Sequence, residues 1–153
     1  MGAGLELAMA CDIRIAIKDT QLALPKVTLG QIPGSGGSQR VARIAGLTRA
    51  ADMMMLGRRI SAAEGLSWGL VTRVAEDAAE LDKILDEMIG TLTSMSALAL
   101  KTAKRVLATA YDSSLGAGFE IEGHAYEKLR QTPDYKEGIA AFSEKRKPSF
   151  TGI

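Results

Sequence analysis

The apolar positions change period several times along the chain. Leu5, Leu7, Ala8, Met9 and Ala10 form a run behind Gly2-Ala3-Gly4, which predicts a short, largely buried helix. Ile13, Ile15 and Ile17 then alternate with Asp12, Arg14 and Ala16. That period of two predicts a strand over 12–17 with the isoleucines on one face. A second short strand is expected over 21–24, stopped by Pro25. Pro33, Gly34, Gly36 and Gly37 make 31–37 a turn segment, and 38–44 reads as a helix ended by Gly46. Thr48 is the expected N-cap of a helix closed by Gly57. Ser61-Ala-Ala-Glu64 is a capping box at the start of a further helix, and 70–74 reads as strand. Beyond Asp77-Ala-Ala-Glu80 the pattern is helical throughout. Leu81, Ile84, Leu85, Met88, Ile89 and Leu92 form one stripe at spacings of three and four. Helices follow over 97–111 and 115–129, and Thr132-Pro133 starts a last one reaching about residue 144.

The predicted class is α/β, with strands and short helices first and amphipathic helices second. Two or three short strands are too few for an independent sheet. The sheet is expected to be completed by upstream residues, and the opening on a glycine-rich turn reads as a truncation. The division expected is 1–75 for the strand-bearing part and 76–153 for the helical part.

Composition narrows the function classes. Of 153 residues, 46% are hydrophobic and 24% charged, ordinary for a globular chain and against disorder. The net charge is +1, so no basic face for nucleic acid is implied. Uncharged apolar runs fall well short of the roughly 18 residues of a membrane span, and no partner membrane is expected. Met1 is not followed by a basic segment of the kind that opens a secretory signal. A single cysteine, Cys11, allows no internal disulfide and no metal cluster; it points to a reducing compartment, read as cytoplasmic, and to a buried packing role for Cys11 itself.

Few residues carry candidate chemistry. The glycines at 2–4 and at 34–37 lack the third glycine of a dinucleotide fingerprint, and no Walker lysine pattern exists. The second cluster reads instead as a turn requiring positive φ and a helix start. His124 is the one histidine and lies mid-helix without a nucleophile pattern, so a surface or interface role is expected. Gly2-Ala3-Gly4-Leu5-Glu6 is more suggestive. A backbone N–H at a helix start is an orphan donor on the positive end of the dipole. Small residues let a ligand carbonyl approach it. Glu6, three residues beyond Ala3, falls on the same face. The alternative is a solvated first-turn glutamate that merely suits the dipole.

The order of motifs resembles the crotonase, or enoyl-CoA hydratase/isomerase, superfamily. The residues that carry the resemblance are Gly-Ala-Gly-Leu-Glu-Leu-Ala-Met-Ala-Cys-Asp-Ile at 2–13, Leu24-Pro25 through Leu29-Gly30, and Ile32-Pro33-Gly34-Ser-Gly36-Gly37-Ser-Gln39-Arg40. Further on they are Gly57-Arg-Arg-Ile60-Ser61-Ala-Ala-Glu64-Gly65, Trp68-Gly69-Leu70-Val71, and the ending from Glu137 to Pro148. The likeness covers the family's C-terminal portion only.

The resemblance implies a partial β-β-α spiral with a helical C-terminal trimerisation region, assembled as a homotrimer or homohexamer. It implies an acyl-CoA thioester as substrate, with coenzyme A part of the substrate and no permanently bound cofactor. The enolate would be stabilised in an oxyanion hole, one N–H of which falls on Ala3 and the other upstream. Of two family glutamates that activate and deliver water, the first matches Glu6. The second position is occupied by Lys26, which cannot serve as a carboxylate base at neutral pH. A neighbouring ammonium would hold Glu6 ionised. Isomerisation, thioester hydrolysis and decarboxylation stay open beside hydration. The alternative is a catalytically inactive crotonase-like fragment with a structural or oligomerisation role. Phe142 and Lys145 match positions that contact the adenosine-phosphate end of CoA. Their offset of three would put them on one helical face.

Overall fold

A computed structural model describes residues 1–153. Its first helix, α1 (Ala3–Ala8), buries Leu5, Glu6 and, just past its end, Met9. Gly2 enters it at φ 56°, and the Gly2 N–H donates to the Ala23 carbonyl at 2.8 Å. That bond pins the helix start beside the segment leading into Pro25. The chain leaves α1 through an exposed bend into β1 (Ile15–Ile17). β2 (Gln21–Leu22) follows, then a 3₁₀ turn over Pro25–Leu29 closed by Gly30 at φ 68°.

Two short helices meet at Gly46. α2 (Gly37–Ala45) buries Gly37, Val41 and Ala45, spaced four apart on one face. α3 (Leu47–Met55) buries Ala50 and Met53. β3 (Ile60–Ser61) leads into α4 (Ala62–Ser67), where the capping box forms as expected: the Glu64 N–H donates to Ser61 Oγ at 3.2 Å, and the Ser61 N–H donates to Glu64 Oε2 at 3.2 Å. β4 (Arg73–Ala75) pairs with β1 in parallel, Ala16 opposite Val74, while β2 pairs with β3 antiparallel, Leu22 opposite Ile60. Around them Leu24, Val41, Met53, Ile60 and Leu70 are fully buried. Side chains of this kind each stabilise a fold by about 1.5–3 kcal/mol.

Four helices complete the chain: α5 (Ala78–Thr93), α6 (Ala97–Thr109), α7 (Leu115–Arg130) and α8 (Pro133–Ser143). Ser96, Ser114 and Thr132 cap the last three through their side chains. The chain divides into two compact units, Met1–Asp86 and Glu87–Ile153. The core described above belongs to the first. In the second, α6 and α7 bury no residue completely, and α8 buries only Asp134 and Ala141.

The structure corrects several expectations. The first strand is three residues long and buries Ala16 rather than its isoleucines; Ile13 lies in the preceding bend and is exposed. Ala16 is the inward residue because it packs in the cluster with Leu5, Met9 and Leu22. Thr48 is inside α3, and the cap is Gly46, whose φ of 88° and ψ of 158° no side-chain cap accompanies. The strand expected at 70–74 sits at Arg73–Ala75, because Leu70 and Val71 are tied back to the Gly65 carbonyl at the end of α4. Cys11 is exposed, since the bend after α1 carries it out of the core.

Candidate active site

α2 begins without a local cap. Its N-cap is Gly36, in the left-handed region at φ 90°, with no side chain to accept the orphan N–H groups of the first turn. The acceptor comes from α1 instead. Glu6 is 1% exposed, and its Oε2 accepts the Ser35 N–H at 2.6 Å and the Gly37 N–H at 3.1 Å. A carboxylate over the positive end of α2 is favourable on charge as well. The approach is close enough to exclude a side chain at 37: a Cβ there would lie 2.7 Å from Glu6 Cγ. Arg40 ties the same loop from outside, its Nη1 donating to the Ser35 carbonyl at 2.9 Å.

Oε1 has no hydrogen-bond partner, so one oxygen of the carboxylate is engaged and the other is not. Ala3 opens α1, exposed, and its N–H belongs to the first turn, where no intrahelical acceptor exists. Lys26 lies half-buried in the 3₁₀ turn, whose Pro25 and Thr28 lie beside Gly57, and no ion pair joins it to Glu6. The partners of the carboxylate are therefore backbone N–H groups of the glycine loop rather than the ammonium. Ala3, Glu6 and Lys26 all fall in the first unit.

Phe142 and Lys145 fall in the second unit. Phe142 is 84% exposed near the end of α8. Lys145 is beyond the helix, and at φ 55° it is the one non-glycine residue in the left-handed region. The two do not share a helical face. The reversal at Lys145 turns the tail back along α8, where Glu137 takes Arg146 in a two-oxygen ion pair and accepts the Ser149 N–H at 2.8 Å. Those contacts hold the Glu137 carboxyl down at about 2, with the Arg146 hydrogen bonds the main cause. Asp134, which is buried, is lowered by hydrogen bonds from Ser96 and from Thr151 and Gly152 of the tail.

Ser35 and Gly37 are the residues a reading of the pattern overlooks. The sequence holds no signal for them, because serine before a helix start is itself a strong N-cap and backbone donors show in no side chain. His124 is exposed on α7, its ring Nδ1 bonded to the Glu120 carbonyl at 2.7 Å and remote from any nucleophile pattern.

The family model described as Enoyl-CoA hydratase/isomerase matches residues 1–152. The chain belongs to the enoyl-CoA hydratase/isomerase family. Among relatives, the probable enoyl-CoA hydratase 2, mitochondrial, of Arabidopsis thaliana is 39% identical over 152 residues, covering 99% of this chain and 50% of the relative. A probable enoyl-CoA hydratase of Bacillus subtilis is also 39% identical, covering 99% of this chain and 59% of the relative. The crystal structure of enoyl-CoA hydratase from Bacillus anthracis superposes with a TM-score of 0.95 at 39% identity, over 99% of this chain and 58% of that one. The expected mixed α/β architecture of the enoyl-CoA hydratase/isomerase fold is thus present. The chain spans about half to three-fifths of the length of these family members.

Proposed function

We propose that this chain carries the proton-transfer part of an acyl-CoA thioester site, as a C-terminal portion of an enoyl-CoA hydratase/isomerase. The observation that carries the reading is Glu6, a buried carboxylate fixed through Oε2 beside the free helix start at Ala3. In this reading the Ala3 N–H meets the thioester oxygen as negative charge develops on it, a second N–H coming from residues outside this chain. Oε2 is filled by two N–H donors, so the mobile proton is carried on Oε1. Lys26 stands where a second carboxylate would deliver water, which favours a one-carboxylate reaction such as double-bond isomerisation over hydration. Phe142 and Lys145 approach the adenosine-phosphate end of CoA, and no permanent cofactor is required.

Assembly as a homotrimer or homohexamer belongs to the same proposal. It is supported by exposed apolar side chains on α6, α7 and the turn between them, with Leu107, Tyr111, Leu115, Phe119 and Tyr126 each more than half exposed. No helix is long and apolar enough to cross a membrane. A cytoplasmic location is supported by the single free cysteine.

Turnover of short enoyl-CoA thioesters by a protein that carries this sequence together with the residues supplying the second N–H tests the assignment, with thioester binding measured in parallel by calorimetry; this chain alone should turn over little or not at all. Glu6→Gln should lower kcat by about 10²–10⁴-fold while binding changes little, and Lys26→Glu should raise water addition. Unchanged turnover in Glu6→Gln overturns the role of Glu6. Lys26 also favours a second reading, an inactive structural or oligomerisation fragment. Thioester binding without turnover in the parent, not restored by Lys26→Glu, is the outcome that supports it.

A further inference from the structure

Between α6 and α7 runs a groove of about 560 Å³ that the acyl-CoA reading does not use. Its volume falls within the roughly 300–1,000 Å³ of small-molecule sites. Leu98 and Val106 of α6 face Ile121 and Leu129 of α7 across it. Three basic groups share this lining, Arg105 from one helix and His124 and Lys128 from the other, and no Asp or Glu does. The side chains of Arg105 and Lys128 have no ion-pair, hydrogen-bond or ring partner. Arg105 and Lys128 therefore stay available to an anion, unlike Arg58 and Arg146, which are each held by two carboxylates. The His124 ring proton is on Nδ1, because the Glu120 carbonyl it meets can only accept. Nε2 is left without a protein partner.

An apolar channel flanked by unpaired cations is complementary to one kind of molecule, an aliphatic chain ending in an anion. We propose that the α6–α7 groove binds a single-chain carboxylate, its tail along Leu98, Val106, Ile121 and Leu129 and its head between Arg105 and Lys128. The guanidinium matches a carboxylate in planar, two-point geometry, and the ammonium adds a point charge. The proposal does not depend on any reaction at Glu6.

The test titrates the whole chain, labelled for amide NMR, with decanoate below its micelle concentration and separately with decanol. Saturable one-to-one binding is expected, with shifts confined to α6 and α7. Decanol should bind at least tenfold more weakly, and the Arg105→Gln, Lys128→Gln double variant should lose at least tenfold in affinity for decanoate. The decanol comparison uses the unaltered chain, so it stands even if the double variant misfolds. Equal affinity for decanol overturns the proposal, as does the absence of saturable binding or a set of shifts away from the groove. So does occupation of the groove by a second copy of the chain that decanoate fails to displace.

Discussion

Glu6 and Gly37 are coupled across thirty-one positions by one short approach. The carboxylate caps a helix that has no cap of its own, and the helix start fixes the carboxylate. Both hold only while residue 37 has no side chain. Gly37→Ala places a methyl 2.7 Å from Glu6 Cγ, in a site where Glu6 has no solvent to retreat into. Overpacking of this kind costs about 1–3 kcal/mol. Gly34→Ala is the matched control, since nothing lies within 4 Å of a Cβ there. Urea denaturation should show a lower midpoint at unchanged slope for Gly37→Ala and little change for Gly34→Ala. If the two variants unfold alike, the close approach is not a constraint on the fold.

Among the elements, those with their own punctuation are legible in the sequence. The Ser61–Glu64 box starts α4 as its spacing predicts, and Thr132-Pro133 starts α8. Removing the box has a known scale: Ser61→Ala should cost about 1 kcal/mol, read as a shift in the thermal midpoint. No loss in that variant would mean that Leu22 and Val71, packed beside Gly65, hold α4 without its cap. The elements that escape prediction owe their form to distant partners. β3 is two residues long and exists because Ile60 pairs with Leu22. The 3₁₀ turn at Pro25–Leu29 reads as a simple stop, yet Thr28 Oγ1 donates back to the Pro25 carbonyl and closes a turn there. At the candidate site, the helix start at Ala3 and the place of Glu6 on its face are legible from the spacing, whereas their chemical role rests on the family resemblance. Ser35 and Gly37 are not legible, because backbone donors leave no mark on side-chain chemistry.

At the scale of the whole molecule the two units depend on different forces. The first is organised around a buried apolar cluster. The second relies more on polar fastening of its tail, through Asp134 and Glu137. The Glu137 carboxyl drops from 4.5 to about 2 on folding. A depressed carboxylate contributes stability that is present above its unfolded value and lost as pH falls through the folded one. The tail should therefore loosen between about pH 4.5 and 2, with Asp134 acting in the same direction. Amide exchange of Ser149 and Thr151, followed across that range, should quicken on acidification. In Glu137→Gln the dependence should flatten; an unchanged profile would assign the acid response to Asp134 alone.

Lys145 places two demands on one position. Its left-handed backbone suits asparagine or glycine better than lysine, and such strain costs about 1 kcal/mol. The same ammonium is the proposed contact for CoA phosphate. Selection pressures on it therefore pull apart. A library screened only for survival of heat should drift toward asparagine at 145, whereas one screened for retention on an immobilised CoA resin should keep the cation. Lys145→Asn, made alone, should raise the thermal midpoint while weakening capture by the resin. A rise without that weakening would mark the lysine as a tolerated misfit with no part in recognition.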